Sequence, residues 1–260
     1  MSQRKTGFIV ILRNSLIAFL LAAGLAPAAY AGEALAYLQP QAVTLNAPEA
    51  AAPVEVKSAS SAGYLSQAEL QMTAFPAPPA AGSSEDQADM AAVLQWQKDR
   101  TDAQCKAALA QADESYLSFF GRVNPFATPL PAEVTAFFKR VSADAGDADR
   151  NIKKIYDRDR PFAASAEVNP CLGRPQGFSY PSGHATVSRL FGLVLSDLLP
   201  RQGAIFMREA DQAALNRVIG GAHYPSDVEA GKKLADLLYQ KLKQKPAFAA
   251  DESALSKYLR

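Results

Sequence analysis

The chain has 260 residues, of which 48% are hydrophobic, enough for one large folded domain. Its 27 Lys and Arg against 26 Asp and Glu leave a formal net charge of +1, so no overall field exists to hold nucleic acid, and any cationic site must come from local clustering. Two cysteines are too few for a metal site of their own, and no Walker-type loop is present, which excludes nucleotide hydrolysis by that route.

Arg4, Lys5 and Arg13 flank the start of the chain, followed by an apolar run over 16–25 and small residues ending in Ala29-Tyr30-Ala31. This is the three-part layout of a secretory signal peptide over 1–31, with cleavage after Ala31. The apolar run is shorter than the roughly 20 residues that span a bilayer, and no later stretch is long enough, so export without a membrane anchor is expected. In the oxidising compartment that export implies, Cys105 and Cys171 are an even pair open to a disulfide; two separate buried thiols are the alternative. Residues 32–63, dominated by Ala, Pro and Ser without a sustained period, read as a flexible lead-in. The folded domain is placed at 64–245 and opens with a proline cluster, Pro76 to Gly82, which forbids helix and is expected to pack extended across the domain surface. Residues 246–260 are set apart as a C-terminal tail.

From Ser84 on, apolar residues recur at helical spacing. Helices are predicted at 85–110, 113–120, 131–145, 147–157, 184–199, 203–218 and 226–243, broken by Pro and Gly clusters. Ser84 with Gln87, and Ser226 with Glu229, have capping-box spacing. Alternating strand patterns are nearly absent, so the fold class is all-α, a compact single-domain helical bundle.

Three polar clusters stand out, and they use both histidines of the chain. The last holds Arg217, a Gly220-Gly221 turn, His223 and Asp227. Arg217 can clamp two oxygens of an anion, while Asp227, in the first turn of a helix, can accept Nδ1–H of His223 and leave Nε2 unprotonated for attack. Taken alone, these residues are equally a loop imidazole and a helix-start carboxylate. The middle cluster is Tyr180-Pro-Ser-Gly-His184, a tight turn running into a helix. Backbone N–H groups from Ser182 to His184 would face outward as an anion nest, and an imidazole there suits a general acid for a leaving alkoxide. A plain Ser N-cap with a histidine in the first turn is the alternative. The first cluster is Lys153 with Arg160-Pro161. Seven residues on a helix is about two turns, or roughly 10 Å of rise, so both long side chains can leave one face and converge on an anion. By itself this mixed-charge stretch reads as a solvated face. Zinc is disfavoured, because the two histidines lack a clustered third ligand and three basic residues would repel a cation; no metal or other cofactor is expected.

In order and spacing, Lys153-x6-Arg160-Pro161, Pro181-Ser182-Gly183-His184 and Arg217-x5-His223-x3-Asp227 resemble the tripartite signature of the type 2 phosphatidic acid phosphatase superfamily. Within it, the chain is most similar to the class A bacterial non-specific acid phosphatases, over roughly 64–243, through residues 76–82, Asp144-Ala-Gly-Asp147, residues 178–186 and the C-terminal helices. The resemblance implies an all-α domain of the kind shared with vanadium haloperoxidases, metal-independent hydrolysis of phosphomonoesters in the periplasm, and often a homo-oligomer. It also implies roles: His223 as nucleophile forming a phosphohistidine, Asp227 orienting it, His184 protonating the leaving group, and Lys153, Arg160, Ser182, Gly183 and Arg217 holding phosphoryl oxygens. Small phosphorylated molecules are the expected partners. Asn216 departs from the family pattern, which has Ser at that place. Other readings are a lipid or isoprenyl (pyro)phosphate phosphatase, a vanadium haloperoxidase and a non-catalytic phosphate-binding protein.

Overall fold

A computed structural model describes residues 63–260; the expected signal peptide, and the expected lead-in up to residue 62, lie outside the described residues. Nine α-helices are present among the described residues: α1 Ser84–Asp99, α2 Asp102–Leu109, α3 Tyr116–Phe120, α4 Ala132–Tyr156, α5 Pro161–Ala164, α6 Gly183–Leu198, α7 Gly203–Ile219, α8 Pro225–Leu242 and α9 Pro246–Ala254. Strand pairing among them is limited to an isolated bridge between Phe126 and Leu259, so the fold is all-α.

Two helix boundaries differ from the sequence expectation for identifiable reasons. The stretch predicted as one helix over 85–110 is two, because Thr101 starts a new one: its hydroxyl accepts from Gln104 N–H at 3.2 Å, and the Gln104 side chain accepts from Thr101 N–H at 2.8 Å. Conversely, Gly146 does not divide 131–145 from 147–157. Both belong to the single 25-residue α4, whose buried face runs from Val134 to Ile152 without interruption. Capping details also shift. Ser83, not Ser84, caps α1, accepting from Asp86 N–H at 3.2 Å. At α8, Pro225 opens the helix, and Asp227 rather than Glu229 closes back on the cap residue, accepting from Tyr224 N–H at 2.9 Å.

The core is built around α6, whose Val187, Leu190, Phe191, Val194 and Leu195 are all buried and which packs against α4, α7 and α8. Aromatic rings fill the far side of that contact, among them Phe138 edge-on to Phe191 with centroids 4.8 Å apart. Close approach of α8 to α6 depends on Gly231: a Cβ there would lie 2.5 Å from the Ser182 carbonyl oxygen. The proline segment is strapped across the surface by two hydroxyls, Tyr156 Oη donating to Phe75 O at 2.5 Å and Tyr180 Oη to Pro76 O at 2.8 Å, while Leu70 and Phe75 enter the core. Residues 246–260, set apart from sequence as a tail, contribute α9 and a 3-10 turn, with Phe248 and Leu255 buried in the same core. Cys105 and Cys171 are disulfide-bonded with Cα atoms 5.8 Å apart, which ties α2 to the long segment between α5 and α6. Among the described residues no helix is long and apolar enough to cross a membrane.

Candidate active site

α7 ends at Ile219, and Gly220 followed by Gly221 reverses the chain; Gly221 sits at φ +75°, a region open to glycine. The reversal lets the N–H groups of Ala222 and His223 fold back onto the Arg217 carbonyl at 3.0 and 3.2 Å. Arg217 in the last turn of α7 and His223 beyond it are thereby held together. Arg217 is 5% exposed, and its Nε and Nη1 have no hydrogen-bond partner among the described residues. Burial, and then the like charge of Arg160, push its pKa down to about 10.

Arg160 reaches the same place from a different element than expected. α4 stops at Tyr156, Asp157 turns left-handed at φ +46°, and Arg160 is extended ahead of Pro161, which opens α5. A residue before proline is driven out of the helical region, so Lys153 and Arg160 are not two turns apart on one helix. Arg160 is fixed by the carbonyls of Gly177 (2.9 Å), Ala222 (3.0 Å) and Gln176 (3.3 Å), and its Nη1 lies 3.0 Å from His223 Nε2. A guanidinium only donates, so Nε2 accepts and the imidazole proton belongs on Nδ1. Burial, followed by the charges of Arg160, Lys153, Arg217 and His184, lowers the pKa of His223 well below its ordinary value. The ring is neutral, with its lone pair on the side of the cations.

Asp227 faces Nδ1 of His223 at 3.5 Å, longer than a normal hydrogen bond, and Nδ1 has no other partner among the described residues. The carboxylate oxygens are taken elsewhere. Oδ2 accepts from Ser179 Oγ at 2.5 Å and from Tyr224 N–H at 2.9 Å, and Oδ1 accepts from Arg158 Nη1 at 2.7 Å. Arg158 also donates to Ser226, Asp86 and Asp89. Burial pushes the Asp227 carboxyl upward, and Arg158, Ser179 and the Tyr224 N–H oppose it. None of Arg158, Ser179 or Asp89 belongs to the three sequence clusters.

At the start of α6, Ser182 is the N-cap, accepting from Ala185 N–H at 3.5 Å. Its own N–H donates to the Asp227 carbonyl at 3.0 Å and is therefore not part of an outward nest. The N–H groups of Gly183 and His184 remain, in the first turn where no intrahelical acceptor exists. Lys153 Nζ binds Asp149 Oδ1 at 3.1 Å and the Pro181 carbonyl. His184 is enclosed by the connection between α2 and α3: Nε2 lies 3.0 Å from the carbonyls of Gln111 and Ala112, and Nδ1 lies 2.7 Å from Glu114 Oε1. Asn216, 4% exposed, donates to Gln111 Oε1 at 2.7 Å and so anchors that connection. Glu114 is a further residue outside the three clusters; it sits far upstream of them and reaches the site only through the fold. Among the described residues, no group of three or more His, Cys, Asp or Glu is placed to hold a metal ion.

Residues 143–235 match the model of the PAP2 superfamily. A non-specific acid phosphatase of Salmonella typhimurium is 34% identical over 135 residues, covering 49% of this chain and 52% of that protein. A non-specific acid phosphatase of Providencia stuartii is 29% identical over 197 residues, 70% of this chain and 78% of that protein. The chain thus spans about half the length of the first of these curated relatives. The crystal structure of a bacterial vanadium-dependent iodoperoxidase is similar over 64% of this chain and 52% of that one, with a TM-score of 0.48 and 19% identity. The segment matched by the family runs from within α4 into α8 and contains Lys153, Arg160, Ser182, Gly183, His184, Arg217, His223 and Asp227. Over that segment the chain is similar to the PAP2 superfamily.

Proposed function

We propose that the protein is an exported acid phosphatase that hydrolyses phosphomonoesters through a phosphohistidine on His223. The observation that carries this reading is Arg217, a buried guanidinium whose Nε and Nη1 have no partner among the described residues, beside a second buried guanidinium and a neutral imidazole. An unpaired buried cation is costly, and a bound oxyanion is what would offset that cost. A phosphoryl group there would be held by Arg217, Arg160, Lys153 and the N–H groups of Gly183 and His184. Neutralising its equatorial oxygens is most of what phosphoryl transfer asks of a protein.

In the first step, Arg160 turns its N–H from His223 Nε2 to a phosphoryl oxygen, and the released lone pair attacks phosphorus. The bond to the ester oxygen breaks, and that oxygen takes a proton from His184. The phosphorylated ring of His223 keeps Nδ1–H and becomes positive, a charge that Asp227 at 3.5 Å stabilises. In the second step, His184 takes a proton from water, the resulting hydroxide attacks phosphorus, and the bond to Nε2 breaks to release phosphate. The lowered pKa of His223 keeps the nucleophile unprotonated in acid solution, which fits an acid optimum. Export rests on the leader-like residues 1–31 and is supported by the disulfide, which suits an oxidising compartment such as the periplasm.

The test is turnover of p-nitrophenyl phosphate by wild type and by His223→Ala. A loss of about a thousandfold or more is expected, as for removal of a covalent nucleophile; turnover at the wild-type rate in the variant would end this reading.

A further inference from the structure

We propose that Glu114 determines which phosphomonoesters the site accepts, favouring a cationic leaving group, such as an amino alcohol, over an anionic one. The inference rests on the phosphatase reading above and adds to it the charge class of the substrate.

For His184 to protonate the departing oxygen, one of its ring N–H groups must point at that oxygen. Nε2 is directed at the carbonyls of Gln111 and Ala112, at 3.0 Å each. Nδ1 is directed at Glu114 Oε1, at 2.7 Å. The ester oxygen therefore arrives where Glu114 Oε1 now lies, and the carboxylate moves aside by about the width of one oxygen without leaving the neighbourhood. Gly183 shows how closely the carboxylate fits against the phosphoryl-binding turn: a Cβ at that position would lie 2.9 Å from Glu114 Oε1.

Glu114 also stays charged. Burial would raise its carboxyl, but the hydrogen bond to His184, then the charges of His184, Arg217 and Lys153, bring its pKa below the ordinary value. The same cations that would hold a phosphoryl group are in electrostatic reach of Glu114. Once phosphate takes those cations, the carboxylate is left facing whatever the leaving group carries. With 40% of its side chain exposed, Glu114 stands at the open side, where it lines a cavity of about 350 Å³ together with Tyr116, Leu117, Phe138 and Phe191. The cation lining that cavity, Lys139, is itself exposed, so water screens it. The segment that carries Glu114 is anchored to α7, where Asn216 donates to Gln111 Oε1 at 2.7 Å.

A matched series tests this: phosphoethanolamine, ethyl phosphate and phosphoglycolate, whose leaving groups are cationic, neutral and anionic at nearly constant size. kcat/KM is measured for wild type and Glu114→Gln, so that differences in intrinsic reactivity cancel when the two proteins are compared. The ratio of phosphoethanolamine to phosphoglycolate is expected to fall by about tenfold or more in E114Q, with ethyl phosphate between, as expected for removing one partly screened charge. Glu114→Ala is the second variant and should lower the ratio in the same sense, while Glu114→Asp retains it. Ratios unchanged within about twofold in both E114Q and E114A, or an equal loss on all three substrates, which would mark Glu114 as only a positioning residue for His184, would overturn the proposal while leaving the phosphatase reading intact. If wild type turns over p-nitrophenyl phosphate but none of the three, the selectivity proposal is overturned alone; if it turns over none of the four, the phosphatase reading fails and the selectivity falls with it.

Discussion

Asp227 gathers three donors onto one carboxylate with no exposed surface, and Arg158 is the cation among them. Arg158 does the same for Asp89, which in turn accepts from Ser226 N–H at 3.0 Å. Removing Arg158 leaves two buried carboxylates without their cation. Arg158→Ala is therefore expected to destabilise the fold by about 3–5 kcal/mol, the range for breaking a buried ion pair by deleting one partner. Urea unfolding at neutral pH measures it, and a midpoint equal to wild type would show that the network carries no such weight. At this scale the sequence was readable where chemistry restricts residue type and spacing: Arg160, Lys153, Arg217 and His184 lie close enough to His223 to act on its charge, and Asp227 faces its Nδ1 at 3.5 Å. Arg158 was not readable. Its acidic partners Asp86 and Asp89 are about 70 residues away, and Asp-Arg-Asp-Arg is also what a solvated face looks like. Glu114 escaped for the same reason, since nothing local marks it as a neighbour of His184.

Helices α6 and α8 bring the middle and last clusters together, and their spacing is set by a glycine rather than by a side chain. At Gly231 an added Cβ would meet Ser182 O at 2.5 Å and Ala185 Cβ at 2.9 Å, so Gly231→Ala forces α8, and with it Asp227, away from the start of α6. A displacement near 1 Å at reacting groups costs on the order of a hundredfold in rate, and that is the loss in kcat expected for G231A on p-nitrophenyl phosphate. Gly121→Ala is the control, because a Cβ there meets nothing within 4 Å and its rate should stay at wild type. Equal rates in the two variants would mean that the helix spacing is not limiting. Element existence followed directly from apolar periodicity, as in α6 and α4. Element ends did not, because they depend on whether a local signal wins: Thr101 with Gln104 overrode a continuous helical pattern, while Gly146 yielded to one.

Over the described part of the chain, long-range links hold the cationic site open against its own repulsion. The disulfide joins residues 66 apart, and on the chain-entropy account a closure of that length stabilises by about 4 kcal/mol. It fixes the segment between α5 and α6, which continues to the carbonyls of Gln176 and Gly177 that grip Arg160. The C-terminal residues add Phe248 and Leu255 to the core, although residues 246–260 are set apart as a tail from the sequence. What this scaffold delivers is a neutral imidazole among cations, and a covalent bond from that imidazole to phosphorus is the central claim. Rapid mixing with a phosphomonoester labelled with radioactive phosphorus, quenched in alkali and followed by peptide mapping, reads it directly. The account predicts an acid-labile label on the peptide containing His223, absent from His223→Ala; label on another residue, or steady turnover with none trapped at any mixing time, would contradict it.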